Sequence, residues 1–298
     1  MSTHGTSADL LAQFAVSPKR RRKDRIARAT ILAATLIALV PLALIIYYLL
    51  SKGLSSWSWS FFTTDPTGNT FFKNSSIGGI QSAILGTIEM VALASLISIP
   101  IGIGVAIWLV EYGRASWFAQ VVRFFVDVLT GVPSIIFGLF VYIALIIGTG
   151  STYAAYKGSI ALSLLMLPIV IRSAEVILLL VPHALRESAL ALGAPRWRVI
   201  FSIVLPTALP GMVTGMLLAV ARAAGETAPL LFTAAYTMKT NLNLSQFMNS
   251  LPVQIYNDVT SPTAAVVERA WGAALTLVVM ILILNLIARL ISRRSRLA

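Results

Sequence analysis

The chain has 298 residues, of which 57% are hydrophobic and 11% charged, and its mean hydropathy of +0.85 is too high for the surface of a water-soluble domain. Its net charge of +12 invites a nucleic-acid reading, but the basic residues flank long apolar runs, which is the signature of membrane topology. With no cysteine, and His4 and His183 as the two histidines, thiolate chemistry, disulfides and a histidine metal site inside a membrane are excluded.

Residues 1–16 are small and polar and are expected to be disordered. The basic stretch SPKRRRKDRIAR (17–28) leads into the first apolar run, Thr30–Leu50. That run is too long for a signal-peptide core and no small-residue cleavage site follows it, so it reads as a retained span. Five further runs of spanning length follow: Ile84–Val110, Phe124–Ile147, Ser159–Leu180, Gly211–Ala234 and Trp271–Ile291. The fold class is therefore all-α and polytopic, with six transmembrane helices. Placing the N-terminus inside puts sixteen Lys and Arg in inner segments against five in outer loops, which sets both termini on the cytoplasmic side.

The outer stretch SSWSWSFFTTDPTGNTFFKNSSIGG (55–79) suits an aromatic belt at the interface, and LSQFMNSLPVQIY (244–256) a short interfacial helix. Each middle span holds a proline: Pro100, Pro133, Pro168 and Pro229. A proline inside a helix removes a donor and crowds the carbonyl four residues earlier, which for Pro229 belongs to Gly225. Kinks are expected at Pro133, Pro168, and Gly225 with Pro229, and broken helices at membrane depth point to a transport route.

Two charged pairs lie inside spans, Arg172 with Glu175 and Arg222 with Glu226. Arg222 falls eleven residues into its run, about 16 Å deep at 1.5 Å per residue. A charge there costs about 2.5–3.5 kcal/mol or more, so these residues are expected to face protein or a watery route. Either each arginine pairs with its own glutamate and fixes packing, or its planar fork meets a passing oxyanion. Glu89 and Asp127, near span ends, are expected at the interface.

The inner loop VPHALRESALALGAPRWRVIFSIVLPTALPG (181–211) places Leu185, Ala189 and Leu192 on one helical face and His183, Arg186 and Glu187 on its polar side, with Gly193 as the helix end. Glu187, Ser188 and Ala189, then Gly193, then nine residues and Ile203-x-Leu205-Pro206 resemble the coupling loop of ABC importer permeases. LTGVPSIIFGLF (129–140) and ARAAGETAPLLFTA (221–234) resemble the third- and fifth-span motifs of phosphate-specific permeases, in their PstA-type form.

That resemblance implies a type I ABC importer permease fold. It makes residues 29–292 the permease domain, with core 79–291 and coupling loop 181–210, between a basic tail (1–28) and a short C-terminal tail (293–298). It implies a non-catalytic subunit of a phosphate importer in the bacterial inner membrane. The partners implied are a sister permease of PstC type, a homodimeric ATPase that uses ATP and Mg, and a periplasmic phosphate-binding protein. No cofactor or metal is expected on this chain, which lacks a phosphate-binding loop of its own. Arg222, Arg172, Glu226 and Glu175 become substrate-route residues, and Glu187, Ser188, Ala189 and Gly193 the ATPase contact. A permease for molybdate, sulfate or phosphonate is the nearest alternative. A self-sufficient secondary transporter would leave the coupling loop without a role, and a membrane enzyme would lack a nucleophile–base set.

Overall fold

A computed structural model describes residues 18–67, 77–113 and 116–294. The tail before Pro18, Lys73 and Arg114 lie outside these residues, and with them the expectation of disorder at 1–16. The described residues form helices and turns without a β-strand; one isolated bridge joins Pro66 and Gly78. Five helical segments are long and apolar enough to cross a membrane, or six when one bent pair is taken as a single span.

The chain forms two units, divided after Ser51. The first holds most of α1 (Pro18–Ser56), which runs without a break through Pro41. Its apolar side chains, among them Ile31, Ile37 and Ile45, are exposed, and Arg28 and Asp24 form an i,i+4 ion pair at its basic end.

The second unit is a helical bundle. A short helix, α2 (Trp59–Thr63), is capped by the Ser58 hydroxyl, which accepts from the Phe61 amide at 3.2 Å. The aromatic belt expected here is partly drawn inward. Phe61 is buried against Gly272, Trp57 Nε1 donates to the Gly272 carbonyl at 3.3 Å, and Trp59 is exposed. Helix α3 (Gln81–Ile107) passes through Pro100 and ends in a π turn, Trp108–Tyr112. Helix α4 (Trp117–Gly131) begins at Ser116, whose hydroxyl accepts from the Ala119 amide. Helix α5 (Ser134–Tyr142) continues as a π turn, Ile143–Ile147.

The third apolar run is thus two helices meeting at 101°, not one kinked span. Pro133 explains the break. Its ring forces the preceding residue out of helical geometry, and Val132 is extended at φ −72°, ψ 130°.

Helix α6 (Ala155–Leu180) occupies the centre of the bundle and runs unbroken through a buried Pro168, so no break occurs at that expected kink. Helix α7 (His183–Ala191) and α8 (Arg196–Val199) follow, then a π turn, Ile200–Val204, and α9 (Leu205–Ala224). The spanning segment therefore starts at Arg196, fifteen residues before the Gly211 expected from hydropathy. Pro206 lies just beyond the π turn, whose wider winding tolerates a residue without an amide donor, so the helix is not interrupted there.

At the other end, α9 stops at Gly225 and α10 (Ala228–Thr233) begins afresh. Pro229 sits in the first turn of α10, where its missing donor costs nothing, so it starts a helix instead of bending one. Helices α11 (Leu251–Val259) and α12 (Ala264–Arg294) complete the unit. The expected interfacial helix is α11, and one side of it is buried at Leu251, Val253 and Gln254.

Close helix approach rests on small residues, as membrane packing requires. Gly102 of α3 lies against Val170 of α6, and Met90 against Gly158, so these two helices run in parallel. Gly211 of α9 meets Ile177, and Gly215 meets Ser173, which makes α9 antiparallel to α6. Met90, Ala94, Leu162, Met166, Val170, Ala219 and Ala223 fill the space between the three.

Beside this core, Arg269 of α12 is buried and donates to both oxygens of Asp258, at 2.7 and 2.8 Å, and to the Ile77 carbonyl. Gln254 donates to the same carboxylate at 2.7 Å and accepts from Asn249 at 2.6 Å. Arg269, one of the five residues counted in outer loops for the topology argument, thus forms a buried ion pair with Asp258.

Gly86 tests the packing. A Cβ on it would lie 2.1 Å from the Asn249 carbonyl oxygen, whereas one on Gly104 would meet nothing within 4 Å. Gly86→Ala is expected to destabilise by about 1–3 kcal/mol. Gly104→Ala is expected to be neutral or stabilising by up to about 1 kcal/mol. Thermal unfolding in detergent of the two variants would show this ordering, and equal behaviour would contradict it.

Candidate functional site

The end of the bundle that carries α7 holds four charged side chains in one hydrogen-bonded group. Arg172 on α6 donates through Nη1 to Glu175 Oε2 at 2.9 Å and through Nη2 to Asp127 on α4. Arg123, one turn before Asp127, donates through Nε to Glu175 Oε1 at 2.5 Å and through Nη2 to the Leu109 carbonyl at 3.1 Å. Glu175, with 4% of its side chain exposed, thus lends one oxygen to each of two guanidinium groups. The set is neutral, so the buried Glu175 carboxylate is compensated by its two partly exposed guanidinium partners.

Arg172 and Glu175 pair as their spacing allows, and the rest of the group was not visible in the spacing. Drawing the third span from Phe124 left Arg123 in an inner loop and Asp127 at an interface. In the fold both lie on α4, i and i+4, on the side that meets α6. The i,i+4 spacing of an arginine and an aspartate was the available signal. Glu89, also expected at the interface, is half-buried on α3, and its Oε2 is enclosed without a hydrogen-bond partner among the described residues.

Arg222 is held quite differently. Its Nε lies 3.4 Å from Glu226 Oε1, and 51% of its side chain is exposed. That is one long contact for a group with five donors. It stands in the last turn of α9, where the helix dipole favours a cation, and Glu226 lies just past the end at Gly225. The pairs Gly211–Ile177 and Gly215–Ser173 set the register with α6. Continuing it puts Arg222 level with Met166, about 16 Å along that helix at 1.5 Å per residue. The span that carries Arg222 begins fifteen residues earlier than its expected start at Gly211.

The inner loop also differs from its expected pattern. Leu185 and Leu192, placed with Ala189 on one apolar face, are exposed, Leu192 at 88%. Ala189 and Arg186 are the residues buried there. Arg186 turns inward to the Glu111 carboxylate and the Val181 carbonyl, which an apolar side chain would leave without this donor, and adds a second donor to the Leu178 carbonyl, which also accepts from the Val181 amide. Glu187 and Ser188 are exposed, and Gly193 closes the helix at φ +81°. The Ala194 amide reaches the Ala189 carbonyl and the Gly193 amide the Leu190 carbonyl, a Schellman end that needs a left-handed residue.

Among the described residues, no three His, Asp or Glu side chains are placed to hold a metal ion. On the outer side, a cavity of about 460 Å³ is lined by polar residues including Thr152, Thr240, Asn241 and Lys239. Tyr153 borders it. Burial first, and then its hydrogen bond with Tyr142, raises the Tyr153 phenol above its ordinary value and keeps it protonated.

Comparison with known proteins places these features. Residues 98–297 match the family described as binding-protein-dependent transport system inner membrane component. The chain is 41% identical over 279 residues to the phosphate transport system permease protein PstA of Yersinia pestis, covering 93% of this chain and 92% of that one. It is 39% identical over 284 residues to PstA 1 of Mycobacterium tuberculosis, covering 94% and 92%. Among solved structures, a chain of a bacterial alginate ABC transporter superposes with a TM-score of 0.61 at 17% identity, covering 93% of this chain and 96% of its own. A chain of the inward-facing MetNI methionine transporter gives 0.60 at 20%, covering 70% and 93%. At such identities the structural likeness speaks for the fold alone.

The two arginines are expected to differ in what their neighbourhoods cost to disturb. Glu175→Gln should destabilise by roughly 2–3 kcal/mol, less than for a fully buried pair because Arg172 keeps Asp127. Arg222→Gln should change stability by less than about 1 kcal/mol, the scale of an exposed ion pair. Denaturation of both variants in one detergent would check the difference, and a larger loss for Arg222→Gln would reverse the assignment.

Proposed function

The chain belongs to the binding-protein-dependent transport system inner membrane components, as a PstA-type permease, and on that premise we propose that it forms half of the route by which inorganic phosphate is imported. The observation that carries this reading is Arg222, a half-exposed guanidinium level with the middle of α6, at a helix break, with one weak partner. An arginine keeps its charge at any physiological pH, and its fork matches an oxyanion. In the resting state Glu226 balances it. An entering phosphate takes the place of that carboxylate, and the return of Glu226 helps expel the anion. A passenger must be held weakly enough to leave, which a permanent tight cage would prevent.

Arg172 is the next cation on the inward side, with Glu175 as its fixed partner and half-exposed Asp127 as the exchangeable one. Energy enters through α7. Glu187, Ser188 and Ala189, with the turn at Gly193, present this helix to a cytoplasmic ATPase, and exposed Leu185 and Leu192 supply an apolar contact. The assembly comprises this chain, a sister permease of PstC type, a homodimeric ATPase that binds ATP and Mg, and a periplasmic phosphate-binding protein. Both termini face the cytoplasm of a bacterial inner membrane, with residues 29–292 as the permease domain between the tails 1–28 and 293–298.

In proteoliposomes holding the complete assembly, Arg222→Gln is expected to lower uptake of radiolabelled phosphate about 10- to 150-fold, the loss of one charge-assisted contact, while the subunits still co-purify. Uptake at the parent rate would overturn the role of Arg222. Inhibition of uptake by excess sulfate, molybdate or phosphonate, but not by excess phosphate, would move the substrate to that oxyanion.

Gly193→Ala forces a side chain into left-handed backbone, at about 1–2 kcal/mol. It is expected to weaken co-purification of the ATPase without changing phosphate affinity of the binding protein. Unaltered association and coupled hydrolysis would count against the loop assignment.

A further inference from the structure

Arg186 is 7% exposed and sits on the bundle side of α7. Its Nε and Nη2 lie 3.0 and 2.9 Å from Glu111 Oε1, its Nη1 donates to the Val181 carbonyl at 2.5 Å, and its Nη2 to the Leu178 carbonyl at 2.8 Å. The two carbonyls lie at the end of α6 and at its C-cap, where helix geometry leaves acceptors short of partners, and the Leu178 carbonyl also accepts from the Val181 amide. Glu111 belongs to the π turn that ends α3. One buried guanidinium therefore ties α7 to the inner ends of both α3 and α6.

The same π turn receives a second arginine. Leu109, two residues before Glu111, accepts from Arg123 of α4, and Arg123 also holds Glu175, which holds Arg172. The polar contacts run without a gap from α7 through Glu111, the π turn, Arg123 and Glu175 to the membrane arginine. Buried Arg186 cannot leave Glu111 without stranding a charge, which ties α7 to the π turn, and Arg123 and Arg172, 25% and 40% exposed, continue the contacts from there. The π turn is its adjustable member, since π windings are tolerated locally and can revert to α geometry.

We propose that Arg186, Glu111 and Arg123 are positioning residues that pass displacement of α7 to Arg172. None of the three needs to touch the passenger. The outer face of α7, with Glu187 and Leu192, is left to the ATPase, while its inner face is wired to the route. This relay rests on the transport reading above, and it accounts for an arginine on the buried side of a helix whose leucines face outward.

Spatial continuity alone is not coupling, so the test is a double-mutant cycle. The quantity is phosphate taken up per ATP hydrolysed by the complete assembly in proteoliposomes. Glu111→Gln leaves the Arg186 bonds to the α6 carbonyls in place and so separates the relay from helix capping. Glu111→Gln and Arg123→Gln are each expected to lower the ratio roughly 5- to 150-fold, the usual range of coupling between sites. The double variant should lose no more than the worse single one, with subunit co-purification at the parent yield. Unchanged ratios, or losses that multiply, would overturn the relay. An unmodified assembly that moves sulfate and not phosphate would overturn the substrate assignment alone, and the ratio counted in sulfate would still decide the relay.

Discussion

The paired contacts of Glu175 are the interaction on which the α7 end of the bundle depends. A single buried carboxylate accepts from Arg123 on one oxygen and Arg172 on the other, at 2.5 and 2.9 Å. Without it, two guanidinium groups from different helices would face each other inside the apolar bundle, a cost of several kcal/mol per ion. With it, α4 and α6 are joined at a depth where hydrophobic burial cannot discriminate between partners, because lipid is as apolar as leucine. The carboxylate thus performs a packing task and a charge-setting task at once, keeping Arg172 fixed in a membrane that would otherwise favour its retreat to an interface.

The backbone breaks decide where the other charges fall. Pro133 separates α4 from α5, so Arg123 and Asp127 are carried on a helix of their own at 101° to the next. Gly225 ends α9 and Pro229 starts α10, which puts Arg222 in a final helical turn with Glu226 just beyond it. The freed backbone groups at that break are answered locally, with the Gly225 and Glu226 amides reaching the Arg222 and Ala223 carbonyls. Irregular backbone at this depth is stable only within protein or beside water, and a half-exposed arginine beside it suits the second setting.

Much of this was legible from the chain and some was not, for identifiable reasons. Six apolar runs, the paired charges at 172–175 and 222–226 and the helix end at Gly193 were all open to inspection, because each depends on composition or spacing within one element. The span boundaries were not. Hydropathy reads Pro206 and Pro210 as loop, yet helix runs through both, with a π turn before Pro206 that no residue pattern announces. The partnership of Arg123 and Asp127 with α6 was hidden because contacts between helices depend on rotation and register. Helix α7 was divided into an apolar face and polar positions, and the burial of Arg186 among the polar ones was not foreseen. Amphipathic reasoning sorts side chains by polarity, whereas here the adjoining interior offers two backbone carbonyls and a carboxylate.

The contrast between the two membrane arginines then acquires a physical meaning. Arg172 has three hydrogen-bonded oxygens' worth of order around its neighbour Glu175 and itself, while Arg222 has one contact at 3.4 Å. An anion meeting Arg222 displaces little and gains most of the Coulomb attraction, whereas at Arg172 it must first displace Asp127. Were both sites equally open, the passenger would settle between two permanent cations and stay. Were both equally engaged, it would find no reason to leave water. Holding one loosely at mid-depth and one under carboxylate control further in makes entry favourable and onward movement conditional, and the condition is set by how α4 and α6 are held together. On the proposed route, the carboxylate between the arginines, which need never meet the anion, would set the condition for its onward movement.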